Sequence, residues 1–353
     1  FDKTKLRSDV VELYHGGQYQ LYRYKKYTDI RLVMAAEVQA AFYGGDYDNF
    51  VFPRHDLDMA FFRVYEDAKP VKSPAHFRWS QAGAKDGELV FVSGHPGSTD
   101  RLKTLKQLEF QRDVTLPTRL KKLALRRTTL NEYSATGAEP ARRARNKIFG
   151  IENSFKALRG ELEGLKDPKL MAAKKSEEEF LRAAVAARPD LSSACASAWD
   201  LIAAMQEKLT ARAKDLQYRG TADSKLAEFA HNIVRYVAEV EKPNETRYEE
   251  YRESNLDSLR FRLFSPAPVY PDLEERMLAL DFKESLDELG SEHPYVKAAL
   301  GGKDPKALAQ DLISKTTLAD PEARKKLVAG GRKAVASSTD PLIAWALGLD
   351  PLY

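Results

Sequence analysis

Several things are scarce in this sequence, and each shortage excludes a class of protein. One cysteine, Cys195, among 353 residues leaves no internal disulfide to hold the fold. Six histidines are scattered without H-x-x-x-H or Cys-x-x-Cys spacing, so no metal or other cofactor is expected. No apolar run approaches the ~20 residues that cross a bilayer. The best stretch, Leu32 to Ala36, is bounded by Arg31 and Glu37. An excess of one charge is missing too: 56 Lys and Arg against 52 Asp and Glu leave +4, no electrostatic footprint for a nucleic acid. Gly16-Gly17 and Gly44-Gly45 lack the frame of a nucleotide-binding loop and read as turns. The chain opens on Phe1 and a charged segment, with no signal peptide to read.

What is present has two grammars. In the first third, Tyr19, Leu21 and Arg23 alternate with Gln20, Tyr22 and Tyr24, and Asp29 to Ala36 is short and apolar, which predicts two strands. Further strands are expected over Asp58 to Tyr65 and Leu89 to Ser93. Gly44, Gly45, Asp46, Asp48 and Asn49 predict a loop. From about Leu116 the pattern becomes that of long amphipathic helices rich in Ala, Leu, Glu, Lys and Arg. Leu158, Leu162 and Leu165 should share one buried face, and Phe180, Ala184, Ala187 and Leu191 another. Pro168, Pro189 and Pro243 punctuate the helices, and LFSPAPVYP (residues 263–271) cannot be helical because three prolines remove amide donors. The basic residues Arg119, Lys121, Lys122, Arg126, Arg127, Arg142, Arg143 and Arg145 read as a solvated helix face. Cys195 reads as a small buried side chain. The expected class is α+β, divided into residues 1–112 and 113–353.

Asp58 precedes the apolar run Met59-Ala60-Phe61-Phe62, as a carboxylate does where it orients the histidine of a serine peptidase. Taken alone, an Asp at a strand edge is a turn cap. Its surroundings add the segment DNFVFPRH (residues 48–55) before it and LVFVSGHPGSTDR (residues 89–101) after it. A local set of Ser98 with His55 or His95 and Asp58 is rejected, because no strand-to-helix nucleophile elbow surrounds Ser98.

Together the GGD loop, the Asn-aromatic pair, the Pro-Arg step, the Asp-led strand and the VxGxPGxTxR turn resemble the bacterial dipeptidyl-peptidase 7 and 11 family of serine exopeptidases. IENSFKALRGELEGL, LRFRLFSPAPVYPDLE and DPLIAWALGLDP extend the resemblance over essentially the whole chain. It implies part of a chymotrypsin-like double β-barrel followed by a large all-α helical domain that caps the cleft. It implies that Asp58 is the triad aspartate, that Asn49 and Phe50 bind a substrate's amino terminus, and that Asn153 is a second contact there. In the family a Trp more usually stands where Phe50 does. The family's His-Cys-Gly and Gly-Asn-Ser-Gly-Ser motifs are missing, so the chain is expected to be a fragment lacking the triad His and Ser. Peptides with a free amino terminus are the implied partners, and an exported or periplasmic homodimer the implied form. The alternative is a non-catalytic helical binding module with a small β appendage.

Overall fold

The computed structural model describes residues 6–14, 16–91, 100–221 and 223–352. The chain forms two compact units, Phe1–Thr104 and Leu105–Tyr353. The expected division at 112/113 falls inside a helical run that opens at Leu105.

In the first unit β1 (Leu6–Leu13) and β2 (Gln18–Lys25) form an antiparallel hairpin in which Val10 faces Leu21. A second sheet is built from β3 (Asp29–Ala35), β4 (Ala60–Glu66) and the two-residue β5 (Lys69–Pro70), in that order and antiparallel. Asp29 pairs with Tyr65 and Ala35 with Ala60, and a bulge between Leu32 and Met34 shifts the register. Between β3 and β4 lie two single turns of helix, α1 (Val38–Ala41) and α2 (Gly45–Asp48), where the sequence predicts only a loop. Gly44 starts the second with φ of +75°, and a Cβ there would meet the Asp48 carboxylate, so glycine answers both demands.

The described strands form two open sheets and close no barrel. Among the described residues of this unit none is buried, and Leu21, Phe62, Trp79 and Phe91 stand more than half exposed. The strand expected from Leu89 is irregular at Leu89, Val90 and Phe91. Its remainder lies outside the described residues, with the turn at Gly94, Pro96 and Gly97 and with His95 and Ser98.

The second unit is helical. It opens with α3 (Leu105–Phe110), a π turn at Gln111–Thr115, α4 (Leu116–Ser134) and α5 (Ala138–Leu165). There follow α6 (Pro168–Ala186), α7 (Pro189–Cys195), α8 (Ala198–Tyr218), α9 (Lys225–Glu239), α10 (Glu253–Leu263) and α11 (Pro271–Leu289). The last third holds α12 (Pro294–Leu300), α13 (Pro305–Lys315), α14 (Pro321–Ala329), α15 (Gly331–Ala336) and α16 (Pro341–Leu349). None of the described helices is long and apolar enough to cross a membrane.

Burial follows helical spacing. Leu226, Phe229, Ala230, Ile233, Val234 and Val237 turn one stripe of α9 into the main core, where Leu278, Phe282, Leu342 and Ile343 meet it. Leu162 and Leu165 are buried with Leu108 and Leu116, and Leu158 packs at their edge, as the sequence spacing implies. Phe180, Ala184 and Ala187 instead face solvent, and α6 buries Val185 in their place. Cys195 is also exposed, at the last position of α7.

The chain between α10 and α11 is non-helical, and Pro271 opens α11 at its first turn, where a missing amide donor costs nothing. The fully buried Arg324 holds this connector by donating to the carbonyls of Leu263 at 2.8 Å and Ser265 at 2.9 Å. Its guanidinium lies 4.0 Å from the centre of the Phe229 ring.

Arg126 departs from the solvated face expected of the basic residues. It is buried and donates to Glu284 at 2.7 Å and to Asp281 at 2.8 Å, both on α11, and it also pairs with Asp223. Lys122, one turn earlier, donates to the carbonyl of Gln217 at 2.6 Å, and burial lowers its ammonium pKa. A guanidinium is the cation best suited to this place, since its forked donors can satisfy several carboxylates at once.

Candidate active site

The segment between β3 and β4 is knitted by its own backbone. Asn49 N donates to Asp46 O at 3.2 Å, Val51 N to Asp48 O at 3.0 Å, and Leu57 N to Ala40 O at 2.9 Å, which closes the excursion just ahead of β4. Asn49 ends α2 in extended conformation, and Phe50 follows in the left-handed region at φ of +66°. A phenylalanine is held there only by its surroundings, because its Cβ disfavours that conformation. The residue is 63% exposed, so it stands as an open wall and not as core.

The Asn49 side chain is half-buried and its Oδ1 accepts a hydrogen bond from Arg54 Nη1 at 3.1 Å. Arg54 is ion-paired with Asp56, and its guanidinium lies 5.0 Å from the centre of the Phe42 ring. Sequence reasoning gives roles to Asn49 and Phe50, quotes Arg54 only within the Pro-Arg step and does not consider Asp56. Their alternation with His55 was the available signal, since His55 is exposed while both neighbours are half-buried.

Asp58 sits two residues before β4, where the sheet begins with Ala60 opposite Ala35. The sequence predicts a strand already at Asp58, and the triad role implied by the resemblance requires a buried carboxylate. In this unit Asp58 is exposed, and it makes no hydrogen bond or ion pair among the described residues. Asn49, Phe50 and Asp58 therefore share one excursion of the first unit. Asn153 belongs to the second unit, on the exposed face of α5 and well inside the helix, so it caps nothing. On that helix its neighbours Glu152 and Phe155 both meet Arg127, the first at 3.5 Å and the second as a ring 4.5 Å away.

The helical unit has a cleft of its own, about 630 Å³, lined by His231, Arg235, Tyr248, Tyr251 and Asp350 among others. Burial holds the His231 imidazole down to about 4, against a smaller upward pull from Asp350. None of the candidate site residues Asn49, Phe50, Asp58 and Asn153 lines it. Among the described residues no group of three or more His, Cys, Asp or Glu side chains is arranged to hold a metal ion.

The profile of the Peptidase S46 family matches residues 1–352. The chain belongs to this family. It is 27% identical over 97% of its length to an Asp/Glu-specific dipeptidyl-peptidase of Shewanella putrefaciens, covering 49% of that protein. With dipeptidyl-peptidase 7 of Porphyromonas gingivalis it shares 25% identity over 93% of its length, covering 51% of that protein. This S46 chain thus spans about half the length of curated relatives it matches. Its fold is similar to that of Porphyromonas endodontalis DPP11, solved in complex with the dipeptide Arg-Glu. The TM-score is 0.67 at 17% identity, over 99% of this chain and 52% of the other.

Proposed function

We propose that this chain is part of a serine dipeptidyl-peptidase that removes dipeptides from the free amino terminus of peptides. The observation that carries the reading is the S46 match over residues 1–352, with the Asn49-Phe50 and Asp58 motifs inside one excursion of the β unit. The relatives it matches carry dipeptidyl-peptidase names, and the likeness to DPP11 supports the same fold.

In this reading the β unit is part of a chymotrypsin-like double barrel, and the helical unit, which opens at Leu105 and not at the expected residue 113, is the cap. The rest of the barrel would supply the histidine and the serine and cover the exposed apolar side chains of β2, β3 and β4. So much apolar surface is what a protein normally buries against another surface. Covering Asp58 would give its carboxylate the buried place that the role requires.

The chemistry is acyl transfer. The serine attacks the second peptide bond, the histidine takes its proton and returns it to the leaving amine, and water then frees the dipeptide. Asp58 holds the imidazole in one tautomer and stabilises its cation. Asn49 accepts from the substrate's α-ammonium group, which has donors only. Phe50 walls the site, and Asn153 adds a second acceptor from the cap. By excluding longer chains at that end, the cap confines cleavage to the second bond.

The test is Asp58→Asn in the complete gene product. The expected result is a kcat lower by roughly 10⁴-fold with unchanged circular dichroism. Near-normal kcat would contradict the role of Asp58.

A further inference from the structure

We propose that Arg54 is a positioning residue that fixes the carboxamide of Asn49 with its oxygen available to a substrate's α-ammonium group, and that Asp56 cancels the guanidinium charge beside it. The inference rests on the amino-terminal role of Asn49 given above and adds how that role is set up.

A carboxamide has one end that accepts and one that donates, whereas an ammonium group only donates. Asn49 can bind a free amino terminus only with its oxygen turned to it. Arg54 decides the orientation, because a guanidinium carries no acceptor and can pair only with Oδ1, which it does at 3.1 Å. Flipping the amide would set two donors against each other. A carboxamide oxygen has two lone pairs, so it can accept from Arg54 and from an arriving ammonium together.

The guanidinium is itself fixed, by the face of Phe42 on one side and by Asp56 on the other. Both members of the Arg54–Asp56 pair have side chains less than one-fifth exposed, where charges are weakly screened. A lone cation so near the site would repel the ammonium it serves. Paired with Asp56, that charge is offset where the guanidinium meets Asn49. The bond from Leu57 N to Ala40 O closes the segment on which all four side chains are carried.

The experiment is a double-mutant cycle in the complete gene product, assayed on dipeptidyl arylamides with acidic or apolar second residues. Arg54→Met is expected to raise KM by roughly tenfold with kcat within about a factor of two. Arg54→Gln, which keeps an N–H donor, should recover most of that loss. Asp56→Asn should also raise KM, and should add nothing in the Arg54→Met background. Asn49→Ala should raise KM, and Asn49→Ala with Arg54→Met should be no worse than Asn49→Ala alone.

Full multiplication of the Arg54 and Asn49 effects, or an Arg54 effect on kcat with KM unchanged, overturns the inference. A raised KM in Asn49→Ala with a normal KM in Arg54→Met overturns the Arg54 role and leaves the amino-terminal reading standing. An unchanged KM in Asn49→Ala overturns both.

Discussion

Arg126 Nη2 donates to Asp281 Oδ1 at 2.8 Å across the interior of the helical unit, and the same guanidinium also meets Glu284 and Asp223. One side chain thereby ties α4 to α11 and to the turn before α9. Burial, and then the nearby Asp223 charge, push the Asp281 pKa well up, and the Arg126 guanidinium pulls against them.

Arg126→Met is therefore expected to destabilise the helical unit by about 3–5 kcal/mol, since it leaves three carboxylates around an apolar side chain. Urea unfolding followed by circular dichroism checks this. A loss below about 1 kcal/mol would mean that the network is solvated and not structural.

His231 predicts an acid-sensitive stability. Its ring lies 5.1 Å from Trp345, and burial lowers its pKa from the usual 6.5 to about 4. With the folded pKa depressed, the unfolded chain takes up its proton first. The contribution is present above 6.5 and is lost as pH falls through about 4. The shift corresponds to about 3 kcal/mol across that window. His231→Phe should flatten this part of the stability profile, and an unaltered slope would remove His231 as its source.

Asp340 caps α16 and gathers the turn that follows α13. Its carboxylate accepts from Leu342 N at 3.0 Å, from Thr317 N at 2.7 Å and from Thr316 Oγ1 at 2.9 Å. Asp340→Ala is expected to cost about 2 kcal/mol or more, because the cap and the Thr316–Thr317 turn lose their acceptor together. Thermal unfolding should show the loss. Asp167→Ala, whose cap bond to Lys169 N is exposed, should show much less.

Local patterns were legible where one element decides the outcome. Alternation placed β2, a short apolar run placed β3, and helical spacing found the buried face of Leu162 and Leu165. Asp-Pro steps at Asp167, Asp304, Asp320 and Asp340 each start a helix, with the carboxylate as cap and the proline in the first turn. That signal was in the sequence and went unread. β1 was hidden because Arg7 and Asp9 look like loop residues, yet they pair across the hairpin with Tyr24 and Tyr22.

Partners distant in sequence were not legible. Arg126 looks like its exposed neighbours until α11 and the turn at Asp223 fold against it. Phe180 belongs to a genuine apolar stripe, but which stripe of α6 is buried depends on what packs against it. The support of Asn49 lies only five positions away, inside the Pro-Arg step, but a motif does not say which side chain its guanidinium meets.

The most direct test of the account is mass spectrometry of the products that the complete gene product forms from one short peptide, supplied with a free and with an acetylated amino terminus. The account predicts stepwise release of dipeptides from the free form and none from the blocked form, because Asn49 has no ammonium to accept from when the amine is acylated. Cleavage of both forms at similar rates would contradict the amino-terminal reading. Failure to hydrolyse either would contradict the peptidase reading itself and favour a helical binding module.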